Sequence, residues 1–209
     1  MNSALVKGSA AFAATSGAAT MGAYFSGAFS KEDNTFRKYL SSIGREIASS
    51  GDWEKIKELY ASAENKDLIE GIQTSNVSAE AITRWCDGKL NSEYLASEKN
   101  LIEAWCSKPV SIINRLSHFK LSALNTTNTD DGVWDTKAGS YSADIAKDSS
   151  LKANEINDSQ STKTLGSELT TATKEKLKKW CDWAKEQSYQ YEESVLFKRY
   201  KHWCVRSKD

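Results

Sequence analysis

From Asn34 onward, apolar residues recur at helical spacing. Phe36, Leu40, Ile43 and Ile47 would form one face of a helix. Ser49-Ser50-Gly51 stops it, and Asp52 is placed to cap the next. Trp53, Ile56, Tyr60 and Ala63 give a second stripe, and residues 66–72 a short third segment. Ser78 offers an N-cap for a helix carrying Ala79, Ile82, Trp85 and Cys86, ending near Gly88. Ser92 offers another, for a helix in which Leu95, Ile102, Trp105 and Cys106 share a face. Pro109 interrupts the chain before Val110, Ile113, Leu116 and Leu121.

The pattern then fades. Residues 122–173 are dominated by Ser, Thr, Asn and Asp, with Trp134, Tyr141, Ile145 and Leu151 as the few large apolar members. Such a composition favours turns over packed helices, so a long, partly ordered connection is expected. Periodicity returns with Leu177, Trp180, Cys181 and Ala184 behind a Thr173 cap, and with Leu196, Tyr200 and Trp203 before Cys204. No period-2 run with a turn signal stands out, so strands are not required.

Composition narrows the function classes. The chain has 209 residues, with 28 Lys+Arg balancing 28 Asp+Glu. Zero net charge lacks the basic excess of a nucleic-acid binder, and no nucleic-acid partner is expected. Mean hydropathy is −0.58, unlike a multi-span membrane protein. His118 and His202 are the two histidines.

The N-terminus stands apart. Between Lys7 and Lys31 no residue is charged, and residues 8–30 are mostly Gly, Ala, Ser and Thr with a few aromatics. A basic start followed by an uncharged stretch is a signal or anchor pattern, long enough to span a bilayer. The absence of a small-residue cleavage site after a compact apolar region favours retention. Residues 8–30 are therefore expected to attach the chain to a membrane, extracellular-facing, or to direct its secretion.

All four cysteines directly follow a tryptophan: Trp85-Cys86, Trp105-Cys106, Trp180-Cys181 and Trp203-Cys204. Their neighbourhoods agree pairwise, as in Glu80 to Asp87 beside Glu175 to Asp182. Upstream, Gly51-Asp52-Trp53 is set against Gly132-Val133-Trp134, and Ile43-Gly44-Arg45 against Ile113-Asn114-Arg115. A duplication is the simplest reading. The expected fold is mainly α: two pseudo-repeat helical units joined by a long polar connection, after an N-terminal apolar segment. The boundaries are residues 1–30 for the signal or anchor, 31–109 for unit 1, and 110–209 for the connection and unit 2.

The uncharged N-terminal stretch and the repeated Trp-Cys dipeptides resemble the paralogous, uncharacterised proteins of haemotropic mycoplasmas. That resemblance implies an exported or membrane-attached protein, with a surface role towards a host-cell protein or glycan. It supplies no catalytic residues.

Cys86, Cys106, Cys181 and Cys204 admit three readings: two disulfides, buried core thiols, or a metal site. In an exported chain disulfides are expected. If residues 79–88 and 93–106 form an antiparallel helical hairpin, Cys86 and Cys106 stand roughly 15 Å apart along its axis. A bridge needs Cα atoms within about 7 Å, which favours bonds from 86–106 to 181–204. Trp85, Trp105, Trp180 and Trp203 are expected as structural core residues.

Recognisable catalytic patterns are missing. There is no nucleophile elbow, phosphate loop, zinc-binding helix pair or dinucleotide fingerprint. A Cys204–His202 or Cys–His118 pair would lack an orienting third group. Ser140 and Asp144 read as turn residues. The run Lys174, Glu175, Lys176, Lys178, Lys179 reads as a solvated helix face. Lys198, Arg199, Lys201 and Arg206 form a local basic cluster able to meet phosphate or sialic acid. No catalytic residue, metal or cofactor is assigned. A surface interaction module without catalysis is the expected function, with a self-associating envelope component and a small cysteine-dependent enzyme as alternatives.

Overall fold

The computed structural model describes residues 34–63, 67–159 and 162–206. The proposed anchor at residues 8–30 lies outside them. Among the described residues no helix is long and apolar enough to cross a membrane.

The described chain is mainly α. Its helices are α1 (Phe36–Ser42), α2 (Trp53–Ala61), α3 (Ala79–Leu90), α4 (Lys99–Trp105), α5 (Ile112–Arg115), α6 (Asp131–Lys147), α7 (Lys174–Ala184) and α8 (Val195–Cys204). The strands are β1 (Val110–Ser111), β2 (Asn154–Ser159), β3 (Thr162–Glu168) and β4 (Ser188–Tyr189). Strand β2 pairs antiparallel with β3, and β1 with β4, Val110 opposite Tyr189 and Ser111 opposite Ser188.

Local signals start several helices. Thr35, Ser78 and Thr173 cap α1, α3 and α7, each side-chain oxygen accepting a backbone N–H of the first turn. Two expected caps act otherwise. Asp52 precedes α2, but its carboxylate accepts from Ser49 N and Oγ at 2.8 and 2.7 Å. Ser92 donates to Lys89 O, and α4 begins only at Lys99, which leaves Leu95 half exposed. Residues 68–73 are not helical; Gly71 turns the chain there at φ +82°.

The largest departure lies in the polar stretch. Instead of a loosely ordered connection, residues 131–147 form the 17-residue helix α6, and residues 154–168 supply the β2–β3 hairpin. Trp134 and Tyr141 of α6 are fully buried. Two aromatics at two-turn spacing fix one face, while Lys174 holds Asp135 at 3.3 Å and Lys178 holds the Asp131 carboxylate.

Two apolar cores result. One gathers Phe36, Leu40, Ile56, Tyr60, Ile82 and Trp105 from residues 36–106; the other gathers Trp134, Tyr141, Leu177, Trp180, Tyr200 and Trp203 from residues 112–205. We refer to the chain before and after Pro109 as the first and second half.

Candidate functional site

The Trp-Cys dipeptides organise both cores. Cys86 bonds Cys106 with Cα atoms 5.4 Å apart, and Cys181 bonds Cys204 at 5.6 Å. Both bridges lie within a half, contrary to the expected links between 86–106 and 181–204. The helical-hairpin premise fails because residues 91–98 are not helical. Tyr94 N donates to Asn34 O, Thr35 pairs with Glu93, and α4 is only seven residues long, so Cys106 returns to the level of Cys86. With every cysteine bonded, neither Cys204 nor any other offers a thiolate beside His202 or His118.

Trp105, Trp180 and Trp203 are fully buried, whereas Trp85 is only partly buried against its core. Trp105 Nε1 donates to Asp67 O and Trp203 Nε1 to Leu151 O, both at 2.7 Å. Trp180 Nε1 is buried without a hydrogen-bond partner.

The same bonds recur in both halves. Thr35 pairs with Glu93 as Ser111 pairs with Ser188; Ile47 pairs with Ser107 as Ala123 pairs with Val205. Arg45 N donates to Leu40 O as Leu121 N does to Leu116 O, and Ala48 N donates to Cys106 O as Leu124 N does to Cys204 O. Gly44 (φ +65°) and Lys120 (φ +54°) hold the same left-handed turn after the first helix. A buried tyrosine then closes each core. Tyr60 Oη accepts from Ile69 N at 2.8 Å and donates to Ile72 O at 2.8 Å. Tyr141 Oη accepts from Ala153 N at 2.8 Å and donates to Leu169 O at 3.1 Å. These bonds set Gly44 against Lys120, so the sequence match of Ile43-Gly44-Arg45 with Ile113-Asn114-Arg115 is displaced.

Polar contacts join the halves. The buried Glu103 carboxylate accepts from Tyr189 Oη at 3.0 Å and from Tyr39 Oη at 3.3 Å. Arg115 donates to Ile43 O and Gly44 O, and Arg45 donates to Glu103 O and Ser107 Oγ. Both guanidinium carbons lie 5.3–5.4 Å from the Tyr189 ring centroid. Burial raises the Glu103 carboxyl above its usual range, against the opposing pull of Arg45 and Arg115. Burial pushes the Arg45 guanidinium down to about 10. This cluster leaves no mark in the sequence, because isolated Arg, Glu and Tyr residues carry no local pattern.

The remaining charged candidates serve the fold. Ser140 and Asp144 bond across one turn of α6 at 2.9 Å, rather than in a turn. His202 Nε2 lies 3.2 Å from the same Asp144 oxygen. Lys174 and Lys178 bind Asp131, and Lys176 binds Glu155, so the lysine face of α7 is paired rather than solvated alone. Arg199 donates to Ser150 O and Asn154 Oδ1, Lys201 to Glu192 and Arg206 to Asp130.

Open depressions mark the described surface in several places, one of them along residues 68–76. A groove of about 600 Å³ runs between the end of α2 and α7–α8, lined by Leu59, Asp67, Trp183, Gln187, Leu196 and Arg199. A shallower depression of about 460 Å³ lies between α2 and α3, lined by Trp53, Glu54, Ala79, Thr83, Arg84 and Asp87. Among the described residues no cluster of His, Cys, Asp and Glu has the make-up to hold a metal ion.

No family model matches this chain, and no curated protein or solved structure matches it.

Proposed function

We propose that this chain is an exported, surface-exposed interaction module without chemistry of its own, built from two pseudo-repeat helical units. Residues 8–30 attach it to the membrane, and a host-cell surface protein or glycan is its partner class. The observation that carries this reading is the pair of buried disulfides, one at the centre of each core. Disulfides form and persist in oxidising compartments, which supports a location outside a reducing cytosol.

The duplication is supported by backbone bonds whose N-terminal partners recur at one constant shift, from Thr35 and Ser111 to Ala48 and Leu124, while their C-terminal partners shift three residues further in Ser107 and Val205 than in Glu93 and Ser188. Hydrogen-bond geometry is independent of the Trp-Cys spelling that first suggested it.

Intact cells labelled with a membrane-impermeant amine reagent test the location. Labelled chain whose four cysteines resist alkylation until reduced is the expected result. A chain that is unlabelled in intact cells and labelled only after lysis would refute it. Deleting residues 1–30 is expected to release the chain from the membrane fraction.

A further inference from the structure

We propose that the depression between α2 and α3 docks an extended, hydroxyl-bearing and basic peptide segment of a partner protein. This rests on the duplication reading, because the second half supplies the template.

In the second half, the connection from Leu124 to Trp134 lies over α6 and α7. Thr126 Oγ1 donates to Asp182 Oδ1 at 3.1 Å. Trp134 Nε1 donates to Asn125 O at 2.8 Å. Lys178 Nζ donates to Thr127 O at 3.3 Å and to the Asp131 carboxylate. Lys174 reaches Asp131 and Asp135. The covering segment thus contributes a hydroxyl, two backbone carbonyls and a carboxylate.

Each receiving residue has a counterpart in the first half. Asp87 follows Trp85-Cys86 as Asp182 follows Trp180-Cys181. Thr83 and Ala79 stand where Lys178 and Lys174 do, and Trp53 precedes Tyr60 by the spacing at which Trp134 precedes Tyr141. All four counterparts line the depression. What differs is the cover. The first-half connection from Ala48 to Trp53 is five residues shorter and closes on itself through Asp52 and Ser49. Trp134 is fully buried in consequence, whereas Trp53 is half-buried and Asp87 is exposed.

The wall chemistry specifies the occupant. A backbone carbonyl would meet Trp53 Nε1 and a hydroxyl would meet Asp87, as Asn125 O and Thr126 Oγ1 do in the second half. The lysines that receive Asp131 are replaced by Thr83 and Ala79. The wall carries Glu54, Glu80 and Asp87 against Arg84, and Glu54 is itself paired with Lys57. A complementary segment therefore carries a basic residue where the internal cover carries Asp131, the carboxylate that meets this wall in the second half.

The test uses the full chain labelled with fluorotryptophan, the Trp53 resonance being assigned with Trp53→Phe. Two synthetic peptides are titrated: residues 124–131 of this chain, and the same peptide with Asp131→Lys. The basic peptide is expected to shift the Trp53 signal and leave Trp134 unmoved. It should bind about tenfold tighter than the acidic one, and Asp87→Asn should remove about that factor. No Trp53 shift up to about 1 mM basic peptide, equal binding of both peptides, or indifference to Asp87→Asn would each overturn the proposal. So would concentration-dependent self-association abolished by Asp87→Asn, which would assign the face to a second copy. A graft of residues 125–132 in place of residues 49–51 separates the two readings. If the graft folds with Trp53 shielded from a polar quencher, the equivalence of the halves stands, whatever the peptide does. If it folds with Trp53 still accessible, the equivalence itself fails.

Discussion

Because each disulfide lies within a half, cutting the chain between the halves should separate them once they are denatured. A protease site inserted among residues 125–130 falls after Cys106 and before Cys181. On a denaturing gel without reductant, two fragments are expected. A single band that splits only on reduction would mean that the bridges cross between halves. Stability gives an independent measure. The bridges close intervals of 20 and 23 residues. Loop-closure entropy then assigns each about 3.3 kcal/mol at 25 °C, against about 4.5–4.9 for the longer loops of crossed pairings. The pair Cys86→Ala and Cys106→Ala should cost about 3 kcal/mol in urea unfolding, and Cys181→Ala with Cys204→Ala nearly the same. For a chain of this size that lowers Tm by about 6–12 °C. A loss below about 1 kcal/mol for either pair would refute the chain-entropy argument.

Other perturbations probe each core and the seam. Tyr60→Phe and Tyr141→Phe each strip a buried backbone N–H and C=O of their partner, so each should cost about 1–3 kcal/mol by denaturant titration; a neutral result for both would contradict the closing role of these hydroxyls. Trp203→Ala should cost about 3–5 kcal/mol and the half-buried Trp85→Ala clearly less; equal losses would overturn the burial contrast. Trp203→Phe should be more costly than Trp180→Phe, because only the former orphans a carbonyl, that of Leu151; the reverse order by thermal unfolding would contradict it. Glu103 has a folded-state carboxyl pKa raised by burial, so its contribution is complete below the ordinary carboxylate range and declines as pH rises through the raised value. The stability of the native chain minus that of Glu103→Gln should fall with pH across that window and then level off; a flat or rising difference would count against it.

Helices whose cap and apolar stripe lie in one short window were legible in the sequence. Thr173 with Leu177, Trp180, Cys181 and Ala184, and Ser78 with Ile82 and Cys86, carry their start signal and buried face within a few turns. The Trp-Cys dipeptides likewise announced disulfides and, at Trp105, Trp180 and Trp203 but not at Trp85, fully buried indoles, since both depend on residue type. Partner choice was another matter. Whether Cys86 meets Cys106 depends on the path of residues 91–98, which is set by Tyr94 N on Asn34 O and by the Thr35–Glu93 bridge, contacts made far along the chain. Helix α6 is not legible in the sequence for the same reason. Its own residues are polar apart from Trp134, Tyr141 and a few others, and its cross-links to Lys174 and Lys178 exist only once α7 is packed beside it. The seam around Glu103 joins five side chains from four separate stretches of chain. Local spelling thus determined helices that carry their own caps and the cysteine-bearing core positions, while pairings between distant residues became definite only in the tertiary structure, where packing decides which buried polar groups meet.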